Sequence, residues 1–423
     1  MKLFVLSIAF LIVGYGYAQE AGSTYKKKVL EQTEVDFLGS FYSQDGDNAA
    51  VTGGIGTEEL IDFAPTIVVS VPMNADDVLS VEAGISAYSS ASSSNINPFD
   101  GDKPADPFQA SSGASSSDVW VGATASYSHS SDDRNRIWSA KASFATEYDY
   151  FSVGFGGSYT MLFNEKNTEV SINANVFLDT WDLLYPIEFR ENDPYNFSSI
   201  PNYNPVFTGF DSGQRNSYSL GGTLSQIFSK RMQGLISLDL VRQDGLLSTP
   251  YQRVYFSDFE DIKVDDFVLA DDVEQLPDTR TKIAVGGNLN YYINEYLTVR
   301  AYYRYYTDDW GIDSHTAKIE LPIKLYGKFT LYPSYRYYTQ TQADYFAPYN
   351  EHLSTDTYYT SDYDLSAFDA NQYGIGFRYT DILTKSHIWK FALKSIDLEY
   401  SKYDRNTSFS ANLIAFSFKF ILD

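Results

Sequence analysis

Acid–base or metal chemistry in this sequence could use four histidines: His129, His315, His352 and His387. None belongs to an H-E-x-x-H metal motif, and the chain has neither a G-x-S-x-G nucleophile motif nor a phosphate-binding glycine loop. His315 is the best placed for a hydrolase acting on lipid, but its neighbours at the same predicted height, Thr307 and Thr339, are not serines. A histidine without a base and a nucleophile beside it has no such chemistry. The sequence therefore predicts no enzyme, with a lipid-facing outer-membrane enzyme as a third alternative to the functions below.

Metal sites are restricted to oxygen and nitrogen ligands, because the chain contains no cysteine. The same absence removes disulfides, a thiol nucleophile and the lipid-bearing cysteine of a lipoprotein. Clustered carboxylate oxygens suit Ca²⁺, but no loop has the spacing of an EF-hand, so simple solvation of acidic loops is the alternative. No other cofactor is predicted. The best small cluster of candidate calcium ligands is Asp45, Asp47, Asn48, Asp100 and Asp102.

The charge balance excludes one class of partner. The chain has 423 residues, with 55 Asp and Glu against 31 Lys and Arg, which gives a net charge of -24. Such a surface repels a polyanion, so nucleic acid is not a predicted partner. The acids concentrate in long predicted connections, and residues 246–278 contain nine carboxylates against only Arg253 and Lys263.

The first 18 residues are predicted to be a signal peptide that is removed on export. Lys2 provides the positive start, an apolar run extends to Val13, and a small-residue cleavage site ends at Ala18. The apolar run is shorter than the roughly 17–25 residues of a membrane helix. Residues 19–32 are then predicted to be a short periplasmic segment, and residues 33–423 the single folded domain.

From Glu34 onward, apolar residues recur at every second position over runs that turn-forming clusters separate. Alternation of this kind predicts β-strands with one apolar face. The runs match the roughly 9–11 residues of a tilted membrane-spanning strand better than the ~5–6 residues of a strand in a soluble sheet. Sixteen strands are predicted, near residues 33–43, 59–71, 78–90, 118–130, 136–148, 150–162, 168–180, 215–228, 233–245, 279–292, 296–308, 314–325, 328–341, 371–381, 389–402 and 408–423.

Short and long connections alternate along the chain, which is typical of outer-membrane barrels with short periplasmic turns and long extracellular loops. An even number of strands puts both ends of the barrel in the periplasm, and fourteen strands is the alternative count. The phase of the apolar positions shifts between Leu393 and Ile396, which predicts a β-bulge there. The predicted fold class is all-β: a transmembrane antiparallel up-and-down β-barrel in the bacterial outer membrane.

Charged residues on the inward face of the predicted strands divide into two groups. Strands ten to fourteen predict a basic lumen wall of Lys282, Arg300, Arg304, Lys318, Lys324, Arg336 and Arg378. Strand fifteen and strands one to three predict an acidic lumen wall of Glu34, Asp36, Asp62, Glu82, Asp397 and Glu399. Separated charges across a water-filled constriction would set ion preference. The alternative is that these charges pair with each other and fill the interior.

Several segments carry a resemblance that covers the whole mature chain: residues 28–31, 34–37, 42–48, 97–102, 112–115 and 127–130. In these segments the chain resembles an uncharacterised family of exported, Bacteroidetes-type outer-membrane barrels, filed as a domain of unknown function. The resemblance implies an outer-membrane location and a barrel fold. It supplies no activity and no set of functional residues.

Two functions from different classes remain open. The first is a porin-like channel for small hydrophilic solutes, because a barrel of roughly sixteen strands leaves an aqueous lumen unless something fills it. The second is a non-conducting barrel that serves as a scaffold or interaction subunit of an outer-membrane complex. Predicted partners are outer-membrane lipid, the outer-membrane assembly machinery through the aromatic last strand, and a protein partner at the extracellular loops or in the lumen.

Overall fold

The computed structural model describes residues 27–89, 117–190, 197–264, 267–381 and 383–422. The predicted signal peptide, most of the predicted periplasmic segment, and the candidate ligands Asp100 and Asp102 lie outside these residues. No helix in the described ranges is long and apolar enough to cross a membrane.

Sixteen long strands follow one another along the described chain, and each corresponds to one predicted strand. They are β1 (Thr33–Gly46), β2 (Leu60–Pro72), β3 (Asp77–Ser89), β4 (Ser117–Ser130), β5 (Arg136–Thr146), β6 (Tyr150–Phe163), β7 (Thr168–Trp181), β8 (Gln214–Ser229), β9 (Met232–Gly245), β10 (Thr279–Tyr292), β11 (Thr298–Asp308), β12 (Asp313–Glu320, continued by Ile323–Leu325), β13 (Phe329–Gln340), β14 (Phe368–Thr380), β15 (Phe391–Arg405) and β16 (Phe409–Leu422).

Each strand pairs antiparallel with its neighbours in sequence, and β1 pairs with β16 to close the sheet. The closing ladder runs from Thr33 opposite Leu422 to Gly46 opposite Phe409. The sheet is therefore a closed up-and-down barrel, which leaves no unpaired edge. The predicted fold class and the count of sixteen strands are confirmed, and the alternative count of fourteen is wrong.

The two faces of the barrel differ as the alternation predicts. Large apolar side chains on the outward face stand open to their surroundings, among them Ile236 at 61% exposure and Phe155 at 54%. A continuous exposed apolar band of this kind needs lipid around it, so the barrel lies in the bacterial outer membrane. The strand register shifts between Leu393 and Ser395, which confirms the predicted bulge in β15.

Short turns join the strands at one end of the barrel, which we call the inner end because short turns face the periplasm in outer-membrane barrels. Residues before β1 lie along this end, where the backbone N–H of Val29 donates to the carbonyl of Ala75 at 2.9 Å and Arg134 donates to the carbonyl of Lys27 at 2.8 Å. The outer end carries the long loops. Short elements within the connections are the 3₁₀ turns Ala50–Thr52, Asn164–Lys166, Ile187–Phe189, Phe197–Ser199 and Tyr363–Leu365, and the two-residue strands Arg253–Val254, Lys263–Val264, Phe267–Val268, Asp272–Val273 and His387–Ile388.

Candidate functional site

The lumen is the first candidate site, and the strand register places all thirteen predicted wall residues on its face. Arg304 of β11 lies opposite Gly286 of β10 and Thr316 of β12, and Lys318 lies opposite Arg336 of β13. Alternate residues of a strand share one face, so these pairings fix the inward side chains of the whole barrel. Whether the walls act on a solute stays a prediction.

About half of the predicted basic residues have acidic or polar partners. Arg378 donates to Asp397 at 2.5 Å. Arg300 lies 2.8 Å and Lys318 lies 3.5 Å from carboxylate oxygens of Glu320. Arg336 donates to the side chain of Gln372 at 3.2 Å. Within the described residues, the remaining three have no hydrogen bond or ion pair: Lys282, Arg304 and Lys324.

The acidic residues divide in the same way. Glu34 is held between two lysines, with Lys394 Nζ at 2.6 Å and Lys419 Nζ at 2.7 Å. Lys419 also lies 3.3 Å from Asp36. The sequence interpretation omitted both lysines from the walls. Lys394 lies at the bulge, where the alternation that assigns faces fails, whereas the polar position of Lys419 between Phe418 and Phe420 was a usable signal.

Three acids of the predicted acidic wall lie away from these two lysines, either nearer the outer end of the barrel or on more distant strands. Asp62 accepts a hydrogen bond from Ser86 Oγ at 2.6 Å. Glu82 and Glu399 have no hydrogen bond or ion pair with any described residue. The pairing alternative therefore holds for part of each wall, and single charges remain on both.

Burial of the inward side chains changes along the barrel axis. In the middle and inner parts, Glu82, Asn288, Arg300, Arg304 and Arg378 are exposed. Near the outer end, inward side chains of β6, β7 and β12–β16 are buried, namely Ser152, Asp179, Ser314, Thr316, Gln340, Phe368, Ala370, Ser401, Phe409 and Ala411. Within the described part of the chain, the lumen is thus lined by exposed side chains in its middle and inner parts and is covered over much of its outer mouth.

The cover is formed by four outer loops, which we call the cap: residues 47–59, 182–213, 246–278 and 341–367, where described. Loop residues bond to inward side chains of the strands below. Gln340 Nε2 donates to the carbonyl of Ser366 at 2.6 Å, Arg405 lies 2.6 Å from Asp364, and Gln44 Nε2 donates to the carbonyl of Glu58 at 2.8 Å. The cap is therefore seated on the barrel along β1, β13 and β15.

The cap has an apolar interior of its own. One cluster joins Ile187, Phe197 and Tyr203 of the second cap loop to Leu269 of the third. Another joins Val254 and Phe256 of the third loop to Tyr359 of the fourth. Burying such side chains contributes roughly 1.5–3 kcal/mol each, so the loops form a folded unit.

A buried ion pair ties three of the cap loops together. Arg253 is fully buried, and its guanidinium makes a two-pronged contact with Glu188, with Nε–Oε1 at 2.7 Å and Nη2–Oε2 at 3.1 Å. Nη1 of Arg253 donates to the carbonyl of Val51 at 3.1 Å. The guanidinium also lies 5.3 Å from the ring centroid of Phe267. Planar pairing of this kind is the strongest form of charge-assisted hydrogen bond, and it fixes the relative positions of the loops.

Carboxyl groups link the third and fourth cap loops. Glu274 accepts from the backbone N–H of Thr249 at 2.7 Å and from Thr360 Oγ1 at 2.5 Å. Burial raises the pKa of Glu274 to about 8, and the charge of Asp362 adds to this rise. Burial likewise raises the pKa of Glu58 to about 7. Both groups therefore keep their protons up to a higher pH in the folded cap than they would in water.

Three of the five predicted calcium ligands, Asp45, Asp47 and Asn48, lie among the described residues, so the predicted cluster is described only in part. Asp45 and Asp47 are exposed, and the Asn48 side chain donates to the carbonyl of Thr407 at 2.5 Å. A different trio of carboxylates, Asp118, Glu147 and Asp149, has ligand oxygens within 4.8 Å of one another. The sequence interpretation missed this trio because Asp118 joins the other two only through strand pairing. Acidic trios are common without an ion, and calcium binding by the outer loops stays a prediction.

Comparison with known proteins assigns the chain to a family. Residues 4–405 match the family described as "Protein of unknown function (DUF3570)". The chain belongs to this family. The resemblance to a family of unknown function is thereby confirmed, and the Bacteroidetes-type origin stays a prediction. No curated protein matches the sequence of this family member.

Solved structures of outer-membrane proteins resemble the chain at low sequence identity. A bacterial polysaccharide outer membrane secretin aligns with a TM-score of 0.47 and 11% identity, over 94% of this chain and 100% of that chain. A FadL homologue from Pseudomonas aeruginosa aligns with a TM-score of 0.39 and 10% identity, over 93% and 91%. OccK2 (OpdF) from the same organism aligns with a TM-score of 0.38 and 8% identity, over 94% and 100%.

Proposed function

We propose that the protein is a porin-like channel for small hydrophilic solutes whose outer mouth is covered by its own cap. The observation that carries the proposal is the set of exposed, inward charges without partners among the described residues. Glu82 and Arg304 belong to this set. An ionised side chain that has neither water nor a partner costs several kcal/mol. Single charges on the inward face therefore favour a lumen that contains water.

The cap gives the proposed channel a means of restriction. Its loops are held by apolar clusters and by the Arg253–Glu188 pair, so they cover the outer mouth as a folded unit. The accessible lumen then acts as a vestibule on the periplasmic side, and loop movement controls passage at the outer side.

Conductance of the purified full-length protein in planar bilayers tests the proposal. We expect discrete current steps in salt solution, with larger or longer openings when Arg253 is replaced by Ala. The matched control is Arg242→Ala, which removes an exposed arginine whose Nη2 lies 2.7 Å from Asp244 and leaves the cap intact. Silence of both the wild-type protein and Arg253→Ala at every voltage would exclude the channel.

The second candidate function is a non-conducting scaffold or interaction subunit. The folded cap favours it, because ordered loops with a buried core make a stable platform outside the membrane. A steady current through the wild-type barrel would exclude this alternative.

A further inference from the structure

A cavity of about 470 Å³ lies in the lumen wall where the barrel closes. One half is lined from β16, β1 and β2 mostly by small side chains, including Ser40, Ala64 and Ala415, together with Leu38 and Phe416. The other half is lined from β13 to β15 by larger polar side chains, including Tyr332, Arg378, Asp397 and Glu399. Small residues on one side thus leave room in front of a polar group on the other.

The polar half is fixed in position by a glycine. Gly376 of β14 lies opposite Tyr332 of β13, and a Cβ atom at Gly376 would lie 1.9 Å from Cε2 of the tyrosine ring. Only glycine admits the ring at this place. The Tyr332 hydroxyl donates to Asp397 at 3.4 Å, and the guanidinium of Arg378 lies 5.8 Å from the ring centroid. Tyr332, Arg378 and Asp397 therefore hold one another before any solute arrives.

The charges on the polar half of the cavity do not balance. Arg378 is neutralised by Asp397, with Nε–Oδ1 at 2.5 Å. Glu399 lies opposite Gly376 and Ala415, and neither residue has a side-chain donor. Glu399 has no hydrogen bond or ion pair among the described residues. The cavity thus carries an excess negative charge, together with acceptor oxygens on Asp397 and Glu399.

We propose that this cavity binds the ammonium or guanidinium group of a small organic cation. The cation donates hydrogen bonds to Glu399, and its carbon chain lies against Leu38, Ala64 and Ala415. An anion is repelled by the same carboxylates, and a neutral solute gains no ion pair. The proposal rests on the proposed channel function, since it names the class of solute that the lumen selects.

Calorimetric titration of the detergent-solubilised full-length protein tests the site with putrescine and with 1,4-butanediol, its uncharged analogue of equal chain length. We expect putrescine to bind and 1,4-butanediol to show no measurable binding. Glu399→Gln should weaken putrescine binding at least tenfold. Ala415→Leu, which fills the cavity and changes no charge, should weaken it to a similar extent.

The matched control is Asp239→Asn, which removes a lumen carboxylate of β9 that lies opposite Ala284 of β10, away from the cavity. Its putrescine affinity should equal that of the wild type. Three results would overturn the site: wild-type affinity in Glu399→Gln, a loss of affinity in Asp239→Asn as large as that in Glu399→Gln, or no binding of putrescine by the wild type.

Heat-modifiable mobility on gels establishes that each variant is folded. Conductance of the same samples separates the two proposals: a conducting barrel without Glu399-dependent binding overturns only the site, and binding in a silent barrel overturns only the channel.

Discussion

The cap and the open lumen place charged residues in opposite ways. In the cap, Arg253 is fully buried and reaches Glu188 and a loop carbonyl at once. In the lumen, Arg304 is exposed and has no hydrogen bond or ion pair with a described residue. Burial makes a partner obligatory for a charge, whereas water makes it optional. The difference indicates that the cap charges hold structure together and that the lumen charges are open to water.

The largest expected effect comes from removing one partner of the buried Arg253–Glu188 pair in the cap. Arg253→Ala leaves Glu188 buried without its partner, which costs about 3–5 kcal/mol. We expect the three loops that meet at Arg253 to exchange amide hydrogens faster and to be cut sooner by protease, while the barrel keeps its heat-modifiable mobility. Arg242→Ala is the control, because an exposed pair contributes about 0–1 kcal/mol. Unchanged exchange in the cap would contradict the central role of the pair.

A second effect, also confined to the cap, depends on pH. Burial raises the folded-state pKa of Glu274 to about 8 from an ordinary value of 4.5, so the folded cap binds the proton more tightly than the unfolded loops do. The stability that this proton contributes is complete below about pH 4.5 and is lost as the pH rises through about 8. Glu58, with a pKa of about 7, acts in the same direction.

Limited proteolysis between pH 5.5 and pH 9 measures this dependence. We expect cleavage of the cap loops to speed up several-fold across the range, and Glu274→Gln to flatten the profile because the amide stays neutral. If cleavage of the wild-type cap loops became slower as the pH rose, the sign would be wrong and the assignment would be refuted.

The barrel could be predicted from sequence because its rule is local. Alternation along each strand assigns faces, and the wall residues from Glu34 to Glu399 follow from it without any knowledge of the partner strands. The same alternation predicts the bulge, because the apolar positions change phase at Leu393 in the sequence itself. It fails for Lys394, which lies at the bulge.

The cap could not be predicted in this way. Arg253 was visible only as one of two bases in an acidic loop, and its partner Glu188 lies 65 residues away in another loop. Loops follow no period, and their contacts depend on how the barrel brings their ends together. The trio of Asp118, Glu147 and Asp149 was hidden for a related reason, because Asp118 joins the other two only through strand pairing.

A third and smaller effect concerns ion preference in the lumen. Arg304→Glu combined with Arg336→Glu reverses two charges of the basic wall while the strands stay paired. In a salt gradient across a planar bilayer, the reversal potential should move toward cation selectivity, because fixed charges along a water-filled path attract ions of opposite sign. The control is Arg242→Glu, on the outward face. An unchanged reversal potential through a conducting channel would show that these arginines do not line the path.

The smallest expected effect comes from removing a carboxylate in the lumen, where water can take the place of the lost partner. Glu320→Gln removes the carboxylate shared by Arg300 and Lys318, whose side chains are 51% and 35% exposed. Water can solvate both bases when the carboxylate is lost, so the loss of barrel stability should be about 0–1 kcal/mol.

Glu188→Gln, the matching change in the cap, leaves Arg253 buried without its counter-charge and should cost the cap about 3–5 kcal/mol. Thermal unfolding followed by gel mobility measures the barrel, and hydrogen exchange measures the cap. A loss of several kcal/mol for Glu320→Gln would mean that water does not reach this height of the lumen, and the distinction between the two regions would fall.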